Sequence, residues 1–356
     1  AGTILISHET YLLVRGIFQV EALGPIDIRG KSEPLPVYMV LGVKPRVFYP
    51  TGRGVEGVET RMIGRDQELY QLQVALRTAV QERRGSVVTV LGDAGVGKSR
   101  LIHEYNLWLK SLPHEVPVFK GRSDPRLSQM PYGLLRDLFT TAFDILDTDS
   151  AVVVERKMMQ AVMAVMPAAE TAVRTQVRLI AQLLGLGLLD DTAVTAKDDH
   201  SSSQLIQRSY QAVADYFEIL ADDAPAVLAF LEDLHWADES SLDLIYYLTQ
   251  VCARAPFIIV GVSRPHASQT LTRLQQSAPE ANGKLAHIRL PLAPLTEDES
   301  RKLVQEILRK VNSVPPSLSD MIVSRAEGNP YFVEELIKVL IEDGIIIIGE
   351  NEWRIQ

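Results

Sequence analysis

Eight consecutive residues constrain this chain more than any others: Gly92-Asp93-Ala94-Gly95-Val96-Gly97-Lys98-Ser99. They stand between an apolar run, Ser86–Leu91, and a segment where Leu101, Ile102, Tyr105 and Leu109 recur at helical spacing. A strand that turns through glycines into a helix has a specific physical use. The glycines let successive backbone N–H groups curl around an anion, and the positive end of the following helix faces the same point. The pattern G-x-x-x-x-G-K-[ST] is a cradle for nucleotide phosphates, with Lys98 reaching the β- and γ-phosphates and the Ser99 hydroxyl on Mg²⁺. By average composition the bare pattern arises by chance in roughly 1–2% of chains this long, and here it also has the strand and helix it requires. The expected ligands are ATP (or GTP) and Mg²⁺, bound by Gly92 through Ser99, with the adjoining Arg100 counted among the binding residues.

The rest of the chain alternates in the same way. Val116–Phe119, Ala226–Leu231, Phe257–Val262 and Ala286–Leu290 read as strands, while residues 131–187 and Leu205–Leu220 read as helices. Ala226–Leu231, bounded by Pro225 and acids, is apolar throughout, as a strand buried on both faces must be. This βαβ rhythm predicts an α/β fold with a parallel, three-layer sheet. Asp66 is expected to cap a helix carrying Leu69, Leu72, Leu76 and Val80 and ending at Gly85. Asp190–Ser203 reads as a mobile polar loop. After Leu290 the pattern is helical, with a Thr296/Glu299 capping box, and it closes on a hairpin of Ile345–Ile348 with Trp353–Ile355. Residues 1–43 form a β-rich piece, with strands at Ile4–Ile6, Ile26–Ile28 and Val37–Leu41 and a short helix capped by Ser7. It is too small to bury its own core. The Pro- and Gly-rich residues 44–60 read as a linker.

Beyond the phosphate cradle, Glu232 and Asp233 close the Ala226–Leu231 strand. A carboxylate there suits a water-mediated hold on Mg²⁺, and a second can polarise an attacking water; spacing leaves open which does which. Arg264 follows the Phe257–Val262 strand at the ligand-binding edge of a parallel sheet, where a cation can sense a γ-phosphate or simply form a surface ion pair. His235 lacks the spaced partners of a metal site, and Trp236 reads as packing. The net charge of −9 argues against a general nucleic-acid or membrane-surface binder. The single cysteine, Cys252, reads as buried filler; it excludes an internal disulfide and a Cys-based zinc site and points to a reducing cytoplasm. No apolar run approaches the ~20 residues of a membrane span, and no signal peptide precedes Ala1-Gly2-Thr3. The chain opens mid-pattern, so a longer cytoplasmic protein is expected around it.

Leu231-Glu232-Asp233-Leu234-His235-Trp236-Ala237-Asp238 resembles the extended Walker B signature of bacterial AAA-type/STAND signalling ATPases. Ile63-Gly64-Arg65-Asp66 is similar to their entry motif, whose Gly64 and Arg65 lie against the base. Arg264-Pro265 resembles the sensor-1 arginine, and Gly328-Asn329-Pro330-Tyr331-Phe332 the Gly-x-Pro module of a helical lid, whose proline, Pro330, touches the base. The resemblance implies a P-loop NTPase core over residues 61–292, then a helical lid and the start of a winged-helix-like segment over 293–356. It also implies slow ATP hydrolysis. Gly2–Ser7 and Ile28-Arg29-Gly30-Lys31 through Val37-Tyr38 look like the tail of a class III adenylate/guanylate cyclase domain, whose catalytic groups would lie upstream of Ala1; Lys31 matches a phosphate-contacting lysine or is a solvated turn residue. The implied partners are ATP and other domains of the same full-length chain, with self-association open and no direct nucleic-acid or membrane binding. Two alternatives stand beside a cyclase-linked signalling switch: the ATPase module of a transcription regulator, and a nucleotide-binding scaffold without significant turnover.

Overall fold

The computed structural model describes residues 4–14, 18–26, 35–43, 55, 58, 60–188, 199–265, 286–349 and 352–356, and the chain divides into two units, Ala1–Arg53 and Gly54–Gln356. In the first, β1 (Ile4–Ser7), α1 (His8–Val14), β2 (Phe18–Ile26) and β3 (Leu35–Val43) make an antiparallel sheet of order β1-β3-β2 with one short helix. The Ser7 hydroxyl accepts from the Thr10 backbone N–H at 3.3 Å, as the start signal requires. Tyr11 stacks on Tyr38 with ring centroids 4.2 Å apart. Of the strand expected at Ile26–Ile28 only Ile26 is described, as the last residue of β2, where Phe18, Val20 and Ala22 alternate with Gln19 and Glu21. Residues 27–34, including Lys31, lie outside the described residues.

In the second unit, short runs of apolar residues pair in parallel. β4 (Ser86–Leu91), β5 (Val118–Arg122), β6 (Val227–Glu232), β7 (Phe257–Ser263) and β8 (Ala286–Pro291) take the order β5-β6-β7-β4-β8. β6 and β7 are buried at every position, which requires cover on both faces. On one face α2 (Asp66–Glu82) and α3 (Lys98–Lys110) pack, with Tyr105 edge-on to Phe230 at 5.9 Å. Against the other lie α4 (Gly133–Ala142), α5 (Ala151–Val165), α6 (Glu170–Leu183), α7 (Asp199–Asp223) and α8 (Glu239–Val251). There Phe217 stacks on Phe257 at 4.8 Å, and Phe139, Val177, Ile180 and Val213 are fully buried. Each such side chain contributes ~1.5–3 kcal/mol, the main force holding together a sheet that has no hairpins. This is the three-layer α/β fold of the P-loop NTPases.

Three helices follow: α9 (Glu297–Ile307), α10 (Pro316–Ala326) and α11 (Pro330–Glu342). The Thr296/Glu299 capping box is present at the start of α9. A short antiparallel pair, β9 (Ile346–Ile347) with β10 (Arg354–Ile355), closes the chain. Val304, Ile307, Ile322, Val333, Ile337 and Trp353 form the core here, joined by Val55 and Val58. Those two valines, 0% and 1% exposed, make the end of the expected linker part of this core.

Other expectations shift by a residue or more. Asp66 is the first residue of α2, not its cap, and Arg83 in the left-handed conformation closes the helix ahead of Gly85. β5 begins two residues later than expected and ends on a cation. Asp199–Ser203, expected as loop, is the first turn of α7, while 189–198 lie outside the described residues. Cys252 is buried, and burial pushes its thiol up to about 12. Among the described residues no helix is long and apolar enough to cross a membrane.

Candidate nucleotide site

Strand register gathers the chemistry at one edge. Leu91 lies level with both Ser263 and Pro291, and Arg122 with Glu232, so the segments after β4, β6 and β7 emerge together. In the loop after β4, Gly95 and Gly97 have φ of 84° and 99°, a left-handed backbone that glycine adopts without steric cost. Gly97 is the N-cap of α3, and Lys98 and Ser99 are its first two residues. The Lys98 ammonium curls over the loop and donates to the carbonyls of Gly92 at 2.7 Å and Asp93 at 2.6 Å. Burial holds its pKa below that of an ordinary lysine; Asp233 opposes the shift and Arg264 adds to it. Lys98 therefore feels the charges of both Asp233 and Arg264.

Glu232 ends β6 and is 3% exposed. Asp233 follows at φ 55°, ψ 40°, a left-handed conformation that typically costs a non-glycine residue ~1–3 kcal/mol. Its carboxylate accepts from Arg122 Nε at 3.1 Å, and Arg122 Nη2 lies 3.7 Å from Glu232. Arg122 has no motif to announce it; its only sign in the sequence is a cation at the end of a strand. Arg264 is exposed just past β7.

The remaining expected site residues sit behind or above the loop. Gly64 has φ 69°, and the neighbouring Arg65, 6% exposed, donates to the Val96 carbonyl at 3.2 Å and to the Ala293 carbonyl. Arg65 thus ties the phosphate loop to the connection between β8 and α9. Arg100 pairs with Glu104 at 2.7 Å and donates to the Thr60 carbonyl, so its charge is spent inside the protein. Pro330 opens α11, where its missing N–H costs nothing. Beside it, Asn329 Nδ2 donates to the Ala94 carbonyl at 3.0 Å, while Asn329 Oδ1 accepts from the Tyr331 N–H at 3.1 Å. A Cβ on Gly95 would lie 2.5 Å from that same Oδ1, so the loop and α11 are in close apposition.

This donor set fits a nucleotide: a glycine cradle, a helix N-terminus, an ammonium group, and two acids at the next strand end. Among the described residues no group of three or more His, Cys, Asp or Glu could hold a metal. Mg²⁺ is commonly held by one or two carboxylates together with substrate phosphates, and the acids here suit that. A family model described as an AAA ATPase domain matches residues 61–260. The chain belongs to that family. A further model, described as a domain of unknown function, matches residues 296–354 of this AAA ATPase. An uncharacterized protein of Rhizobium meliloti (strain 1021) is 27% identical over 352 residues, 94% of this chain and 30% of that protein. The chain therefore spans under a third of its relative's length. Among solved structures, an Aeropyrum pernix ORC1 protein in complex with DNA aligns at TM-score 0.45 and 15% identity, covering 85% of this chain and 64% of that one. A Walker-type ATPase of Pyrococcus abyssi aligns at TM-score 0.45 and 13% identity, covering 80% and 69%.

Within the AAA ATPase two residues of the Leu231–Asp238 segment take parts that spacing does not reveal. Asp238 caps α8, accepting from the Ser241 N–H at 2.8 Å, and also accepts from the Tyr132 N–H at 2.8 Å at the start of α4. One carboxylate holds two helix starts 106 residues apart in sequence. Trp236, expected as packing, is 40% exposed on the turn after Asp233.

Proposed function

We propose that this chain is the ATP-operated switch of a larger signalling protein. Lys98 and the Gly92–Gly97 backbone bind the phosphates, Gly64, Arg65 and Pro330 frame the base, and Arg264 reads the γ-phosphate. Ser99 and one of Glu232 and Asp233 hold Mg²⁺, and the other acid orients the attacking water. Bound Mg²⁺ would supply charge neutralisation at the β- and γ-oxygens. The observation that carries the reading is the meeting of lid and loop: Asn329 on the Ala94 carbonyl at 3.0 Å, and the Tyr331 N–H on the Gly95 carbonyl at 3.4 Å. An element that touches the phosphate loop feels whether that loop holds a triphosphate, so nucleotide binding biases the lid. Reading residues 1–43 as a cyclase tail rests on the resemblance of Gly2–Ser7 and Ile28–Tyr38, and the much greater length of the Rhizobium relative supports a multidomain setting. Cyclase chemistry then belongs to the full-length protein.

A second reading, nucleotide binding with little turnover, is favoured by Arg122, which engages both acids. One experiment tests the switch. Hydrogen exchange across residues 328–333 should slow with a non-hydrolysable ATP analogue and change less with ADP. Identical exchange in all three conditions rules out a lid that senses nucleotide.

A further inference from the structure

His235 lies two residues past Asp233 in the Leu234–Trp236 turn. Both of its ring nitrogens are shielded from solvent, and neither has a hydrogen-bond partner. Covering an imidazole without satisfying it is unfavourable, so such a group asks for an explanation. Packing alone does not provide one, because an apolar ring would fill the same volume at no polar cost. Leu234, one residue earlier, shows what packing looks like on this turn: it is fully buried against Gly261 of β7. His235 has different surroundings. The charges of Asp233, Arg264 and Lys98 act on it. These come from just past the ends of β6 and β7 and from the start of α3, and they are the groups assigned above to the γ-phosphate end of the site. Trp236, with its ring centroid 5.3 Å away, stands beside the imidazole.

We propose that His235 is a nucleotide contact, donating an imidazole N–H to the terminal phosphate, so that the site separates triphosphate from diphosphate partly through this ring. The proposal rests on the nucleotide reading of the site and extends it. The test is a set of binding titrations with Mg²⁺ and either ATPγS or ADP, on the parent chain, His235→Phe and His235→Gln, with a thermal melt of each. The phenylalanine keeps the volume and loses the donor; the glutamine keeps an N–H. His235→Phe should weaken ATPγS about tenfold or more and leave ADP unchanged, and His235→Gln should recover most of the loss. Should His235→Phe fail to fold, His235→Leu carries the same comparison. An unchanged ATPγS-to-ADP ratio overturns the role of His235, as does an equal loss for both nucleotides or a glutamine no better than phenylalanine. A parent chain that binds neither nucleotide overturns the site reading itself, and this proposal with it.

Discussion

Glu232 and Asp233 are neighbours in sequence with different environments: one is almost fully buried at a strand end, the other held in a left-handed turn. In the proposed reading the pair divides the work of holding the metal ion and orienting the attacking water. Replacing both, as Glu232→Gln with Asp233→Asn, keeps size and removes charge. Phosphate release should fall by at least ~100-fold while ATP binding survives. Parent-rate hydrolysis in the double variant would make the acids structural caps. Under that reading Arg122 acts in the opposite direction, because every moment it spends on Asp233 would be taken from metal or water. It is 54% exposed, and exposed pairs are worth ~0.2–1 kcal/mol. Arg122→Ala should therefore raise phosphate release modestly, by up to about fivefold. A steady-state assay showing a loss instead would mean that the guanidinium supports catalysis.

At the scale of elements, the fold rests on a few polar residues that serve two segments at once. Asp238 caps α8 and holds the start of α4, so Asp238→Ala should cost about 2–4 kcal/mol in denaturant unfolding, near two caps' worth. A loss within ~0.5 kcal/mol would show that solvent replaces both bonds. The same contrast explains what was legible in the sequence. The Gly92–Ser99 cradle, the all-apolar β6 and β7 and the Thr296/Glu299 box announce themselves because their physics is local: neighbouring residues set the backbone or the periodicity. Arg122 on Asp233, Arg65 on Val96 and Asp238 on Tyr132 join residues 111, 31 and 106 apart, and no spacing rule reaches that far. The end of β5 was hidden because Lys120 and Arg122 break its apolar run, yet the ladder to β6 includes both. Val55 and Val58 were hidden among glycines and prolines that read as linker.

Over the whole molecule, the chain divides into two units, and only the second carries the nucleotide site. The first unit, as described, offers β-strands and a stacked tyrosine pair but no paired carboxylates for two-metal chemistry. With Mg²⁺ or Mn²⁺ and excess ATP, the chain should produce no cyclic AMP or cyclic GMP above a no-enzyme control. The second unit carries the central claim, that an AAA ATPase core binds nucleotide phosphates through Lys98. The most direct measurement is a titration of Mg²⁺–ATP into the parent chain and into Lys98→Ala, with circular dichroism to show that both are folded. A charge-assisted contact of this kind is worth ~2–4 kcal/mol, so affinity should fall by about 30- to 1,000-fold with the fold intact. Equal ATP affinity in a folded Lys98→Ala would contradict the account.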